Sequence, residues 1–195
     1  MEPIPWVREL RFTLKTRGGC EVPVYKGPRP MTREQLDHFD GHCQKEYLVQ
    51  VRARGDPGYN CHGMTFAARH GWIDSGKQQV PHIIAADWDP AKDPRECTRA
   101  LEELLRSSGL RRVASLPNFR VDRLQKSDDV AEGDVILYRL GIVVTHSGIV
   151  WRREGSEVQV LSKWGIYGEY FHAYRAVPEE MYGTAVEFWS DRKGE

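Results

Sequence analysis

The chain has 195 residues, 40% of them apolar and 29% charged, with 28 Lys+Arg set against 28 Asp+Glu. That length buries one core, and the balanced charge leaves no net field to hold nucleic acid or an anionic membrane surface. No run reaches the ~18 apolar residues of a membrane span, so neither a nucleic-acid-binding nor a membrane-spanning protein is expected.

Residues 6–26 predict two strands. "LRFTLK" alternates Leu10, Phe12 and Leu14, and "EVPVYK" follows a Gly18–Gly19 turn. After a loop at 26–30, "MTREQLDHFDGHCQKE" has Thr32 and Gln35 at capping-box spacing and Leu36, Phe39 and Cys43 on one helical face. "YLVQVRA" alternates again and runs into "GDPGYNCHGMTFAARHGWID", where Cys61 follows a Gly/Pro turn and precedes a short apolar run. A clearer helix starts at "DPRECTRALEELLRSSG", with Asp93 as cap, Pro94 in the first turn and a stripe of Cys97, Leu101, Leu104 and Leu105. The basic pairs Arg111–Arg112 and Arg152–Arg153 read as a solvated face. The last third is a run of strands: "GDVILYRL", "VVTHSGIVWR", "EVQVLSKW" and "YFHAYRAV". Helices in the middle and strands at the end make an α+β pattern.

The N-terminal "MEPIPWVREL" has no basic segment followed by an apolar one. A cytoplasmic location is therefore expected, with export by a machine that reads no N-terminal signal left open. The four cysteines, Cys20, Cys43, Cys61 and Cys97, are irregularly spaced without a CxxC, so reduced thiols are expected and a disulfide frame is not.

Two residues draw attention for chemistry. A thiol is nucleophilic as thiolate, which a helix N-terminus or a neighbouring imidazolium favours. Cys61 stands at such a helix mouth, where free backbone N–H groups also suit an oxyanion; the alternative is a small buried residue at a packing point. His146 lies in a strand otherwise β-branched and apolar. On period 2 it shares a face with Gly148 and Val150, while Ser147, Ile149 and Trp151 share the other. Gly148 leaves room there for a side chain or substrate, and an ordinary hydrogen-bonded strand histidine is the alternative.

The ordered set of a cysteine opening a helix, Gly133–Asp134 starting a strand, "HSGIV" at 146–150 and "SKWG" at 162–165 resembles the papain-like cysteine hydrolases, especially the NlpC/P60 and CHAP amidase branches. The resemblance runs from about Tyr59 to Tyr174. It implies a single papain-like domain over 1–195, with N-terminal strands and helix over 1–54 and a catalytic core over 55–195, in which a Cys-bearing helix packs on an antiparallel sheet. It implies Cys61 as nucleophile, His146 as base and Ser162 as the residue orienting the imidazole. Trp164 would shield that last bond beside the substrate, and the Asn60 side chain would join the Cys61 N–H on the oxyanion. The chain departs from the NlpC/P60 pattern in reading "NCHG" where Asp-Cys-Ser-Gly is usual, and Ser162 stands where papain has Asn; His172 or a main-chain carbonyl are the other candidates for the third place.

A competing metal site would use His38, His42 and Cys43 in "HFDGHC", with Cys61 and His62 as further ligands. Gly41 interrupts that helix and the spacing fits no finger or ribbon, so no metal and no organic cofactor is expected. The function expected is hydrolysis of an amide, peptide or isopeptide bond in a peptide or protein, as in a wall-peptide amidase or a toxin-type effector with an inhibitor, immunity or secretion partner. Two alternatives stand beside it. One is a silent papain-like binding module using the aromatics of "KWGIYGEYFHAY" as its contact surface; the other is a deamidase or acyltransferase with the same Cys–His pair.

Overall fold

The helices form where the sequence supplies their ends. The computed structural model describes residues 10–16, 21–25, 31–55, 60–68, 73–74, 83–84, 93–125, 128–165 and 167–192. In α1 (Arg33–Glu46), Thr32 accepts from the Gln35 N–H and the Gln35 side chain accepts from the Thr32 N–H, the reciprocal pair its spacing predicts. In α2 (Pro94–Ser107), Asp93 accepts from the Arg95 N–H, and Pro94 opens the helix where no N–H is needed. The loop at 26–30, the Gly18–Gly19 turn, residues 56–59, Cys20 and the Cys97 side chain lie outside the described residues.

The strands make two antiparallel sheets. β1 (Leu10–Thr16) and β2 (Glu21–Tyr25) are the predicted N-terminal pair, flanked by β4 (Ile73–Asp74) and β5 (Ile83–Ile84) in the order β4-β1-β2-β5. The larger sheet holds β3 (Gln50–Ala53), β6 (Arg111–Leu116), β7 (Val135–Leu140), β8 (Val143–Glu154), β9 (Glu157–Lys163), β10 (Glu169–Ala173) and β11 (Ala185–Ser190). Its order is β3-β10-β9-β8-β7-β11-β6, and every pairing is antiparallel. The fold is therefore α+β, built on a seven-stranded antiparallel sheet with few helices. β3 leaves the N-terminal segment to pair with β10, so the first 54 residues contribute to both sheets.

Both faces of the large sheet are covered, which is why β7 is apolar on both sides. On one face Ile136, Tyr138, Val150, Val160, Trp164, Tyr170, Val186 and Phe188 form the main core with Cys43 of α1 and Tyr182, the last residue of α3 (Glu179–Tyr182). On the other, Val135, Leu137, Val144 and Trp189 pack against Phe66 and the α2 stripe Leu101, Leu104 and Leu105. β6 and β11 are strands the sequence reading did not predict. β6 is an edge whose Arg111 and Arg112 are exposed, as the solvated-face expectation required, and pair with Asp129 and Glu187. Gly133–Asp134 is a turn device: Gly133 has φ +90°, and the buried Asp134 carboxylate accepts from the Ala131 N–H at 2.8 Å and from Arg192 at 2.9 Å.

Candidate active site

Cys61 opens a short helix over 61–68 whose first two residues are α-helical and whose continuation, Gly63–Ala68, is wound as a π-helix. Such windings occur often at functional sites. Asn60 is its cap: its side-chain Oδ1 accepts from the Gly63 N–H at 2.9 Å, and its carbonyl accepts from the Met64 N–H at 3.0 Å. The cap puts Cys61 at the first helical position, where unpaired N–H groups and the positive end of the helix dipole converge. The helix packs on β8 and β9. Cys61, His62, Met64, Thr65 and Phe66 are all buried.

β8 carries His146 to the core face. Both ring nitrogens are buried without a hydrogen-bond partner, so Cys61 and His146 are not hydrogen-bonded to each other. The imidazole stacks on Tyr182, centroids 4.0 Å apart and planes within 15°, and is tilted against Tyr138 across the strand pair at 5.4 Å. Burial holds its pKa well below the ordinary imidazole value, and the neighbouring His172 and His62 push in the same direction. Tyr182 joins the two ends of the site. It stacks on His146, and burial followed by the nearby Cys61 raises its hydroxyl well above the usual range.

The Ser162 hydroxyl is engaged elsewhere. Gly148 pairs with Ser162, and Ser162 with Tyr170, which sets Ser162 diagonally between His146 and His172 on one face. Its Oγ lies 2.7 Å from His172 Nε2, and the Trp164 indole N–H donates to it at 3.0 Å. His172 Nδ1 lies 2.9 Å from the Ala173 carbonyl, which can only accept, so Nδ1 carries the proton and Ser162 donates to Nε2. Burial lowers the His172 pKa to about 4. Trp164 packs edge-on to His172, at 5.6 Å, so the bond it shields is the one between Ser162 and His172. The room expected beside Gly148 is filled: a Cβ there would lie 2.7 Å from Val160 Cγ1 and 2.9 Å from Ser162 Cβ.

No family model, curated protein or solved structure matches the chain. The site is therefore read from its own geometry.

The residues of the competing metal site diverge. Cys43 points into the core while His38 and His42 are exposed on the far side of α1, and among the described residues no group of three His, Cys, Asp or Glu side chains is gathered to hold a metal. Burial, then Asp40, pushes the Cys43 thiol up to about 12, which disfavours its thiolate. The aromatics expected as a contact surface are mostly interior: Trp164, Tyr170 and Tyr174 are buried, and Tyr167 and Phe171 half-buried. Sequence reasoning missed Tyr182 and Tyr138, which no local motif connects to His146. It also missed the bond from His62 to Ser147, since alternation puts Ser147 on the face of β8 opposite His146 but does not say what packs there.

Proposed function

We propose that the protein is a cysteine hydrolase that cleaves an amide, peptide or isopeptide bond, with Cys61 as nucleophile and His146 as general base. One observation carries this reading: His146 is fully buried on β8, the strand against which the Cys61 helix packs, and neither ring nitrogen is hydrogen-bonded. Leaving a buried polar group unpaired costs about 1–3 kcal/mol, so an unpaired buried imidazole calls for a role. His172 shows the contrast on the next strand but one, with both nitrogens satisfied. An imidazole whose bonding capacity is unspent is free to take a group that arrives during the reaction.

In the reaction His146, neutral at physiological pH because of its burial, takes the proton from the Cys61 thiol. The thiolate attacks the substrate carbonyl carbon, and the Cys61 N–H at the helix mouth faces the oxyanion. Collapse of the tetrahedral adduct breaks the C–N bond as His146 protonates the leaving amine. Water, deprotonated by His146, then cleaves the thioester and restores the thiol. The pair is not hydrogen-bonded beforehand, so substrate binding has to close it. Ser162 holds His172 and not His146, and Asn60 acts first as the cap that holds Cys61 at the helix mouth.

The silent-module reading is favoured by the near-complete burial of Cys61 and the missing Cys61–His146 bond. An activated acyl donor separates the two. With p-nitrophenyl acetate, the hydrolase releases a stoichiometric burst of nitrophenol and gains one acetyl group on Cys61 by mass spectrometry. Cys61→Ala removes the burst, and His146→Ala slows it by about 100-fold or more. Wild-type protein without a burst, or a burst that survives Cys61→Ala, would contradict the proposal.

A further inference from the structure

A chain of three buried side chains that the proposed reaction does not use fastens the Cys61 helix to β8. His62 Nδ1 lies 2.8 Å from Ser147 Oγ, and Ser147 donates to Thr65 Oγ1 at 3.0 Å. All three residues are fully buried. Ser147 is the middle member of the chain, bonded through one oxygen to both His62 and Thr65.

The placement of this chain is specific. Ser147 follows His146 on β8 and points to the opposite face; His62 follows Cys61 on the helix. The chain neighbour of the proposed nucleophile is thus bonded to the chain neighbour of the proposed base. The helix needs such a fastening. From Gly63 onward it is π-wound, so a regular α-helical ladder does not continue from its first turn. Apolar contacts alone would hold that turn without fixing its rotation, because they are not directional.

We propose that His62 and Ser147 are positioning residues, which set the rotation and height of Cys61 against His146; this rests on the Cys61–His146 chemistry proposed above. Neither touches substrate. Their effect passes through the first turn of the helix, where a displacement of about 1 Å can lower a rate about 100-fold. The "NCHG" departure from the family pattern thereby gains a physical role: the histidine after the nucleophile supplies the long arm that reaches the β8 hydroxyl.

The test measures the rate of iodoacetamide alkylation of each cysteine in the full-length protein from pH 5 to 9, by mass spectrometry. In the wild type Cys61 should react fastest. Ser147→Ala should slow Cys61 by about tenfold at pH 7 while Cys43 keeps its rate. Should Ser147→Ala fail to fold, His62→Asn and His62→Gln carry the test. An Asn amide N–H reaches the place of Nδ1 and a Gln amide does not, so Asn should stay within about threefold of wild type while Gln behaves as predicted for Ser147→Ala. Fast wild-type alkylation left unchanged by Ser147→Ala, or equal rates for the Asn and Gln variants, would overturn the positioning role alone. Wild-type Cys61 reacting no faster than Cys43 would defeat the hydrolase proposal, and the positioning role with it.

Discussion

Three buried histidines in one region show how the same side chain is put to different uses. His172 is locked by Ser162 and Ala173, His62 is fastened to Ser147, and His146 keeps both nitrogens unbonded. The Ser162 hydroxyl serves two partners, so Ser162→Ala leaves both the Trp164 N–H and His172 Nε2 buried without one. We expect a loss of about 2–4 kcal/mol in urea unfolding, with Ser162→Thr restoring none of it because the added methyl meets the packed surroundings of Gly148. Gly148→Ala is the complementary test. Its Cβ would also lie 3.0 Å from the Leu161 carbonyl, a main-chain atom that cannot swing aside. Overpacking there should cost about 1–3 kcal/mol, read as a lower midpoint at unchanged m-value.

At the scale of elements, local chemistry was legible and register was not. The capping box at Thr32, the Asp93–Pro94 start of α2 and the opening of a short helix at Cys61 are decided by neighbours in sequence, and the structure has them where the sequence puts them. That Ser162 and His146 share a face comes from the pairing of the two strands. Which histidine Ser162 meets depends on the Gly148↔Ser162 and Val160↔His172 pairings, and strand register is not written in either strand alone. β6 escaped notice because an edge strand keeps its charges in water, which removes the apolar signal. α3 is too short to carry a periodic pattern, yet it sets Tyr182 against His146. Gly183, which ends it, has φ +80°, and a Cβ there would fall 1.9 Å from the Arg139 carbonyl. Gly183→Ala should destabilise by about 3 kcal/mol or more and should slow Cys61 alkylation, since the Tyr182–His146 stack shifts with it.

Across the whole molecule, burial against the large sheet keeps the His146 and His172 imidazoles neutral, and that makes stability depend on pH. His172 falls from the ordinary 6.5 to about 4 in the folded state, and His146 moves in the same direction. Above pH 6.5 neither state binds the proton and the term is absent. As pH falls from 6.5 toward 4 the unfolded chain takes up protons that the folded chain refuses, so stability declines. His172 alone accounts for about 3 kcal/mol over that window. Urea midpoints should drop steadily between pH 6.5 and 4.5, and His172→Gln should flatten the slope; a midpoint that rises or stays level on acidification would contradict buried neutral imidazoles. The described residues include no helix long and apolar enough to cross a membrane, and the residues that carry the proposed chemistry all lie on or against the large sheet.

The central claim is that Cys61 and His146 act together, and competitive alkylation tests it most directly. Wild-type protein and His146→Ala are treated with limiting iodoacetamide at pH 7, and the four cysteines are followed separately by mass spectrometry. The account predicts that Cys61 is modified well before Cys20, Cys43 and Cys97, and that His146→Ala slows Cys61 by about tenfold or more while the other three keep their rates. Cys61 reacting no faster than its three counterparts, or as fast without His146 as with it, would contradict the account.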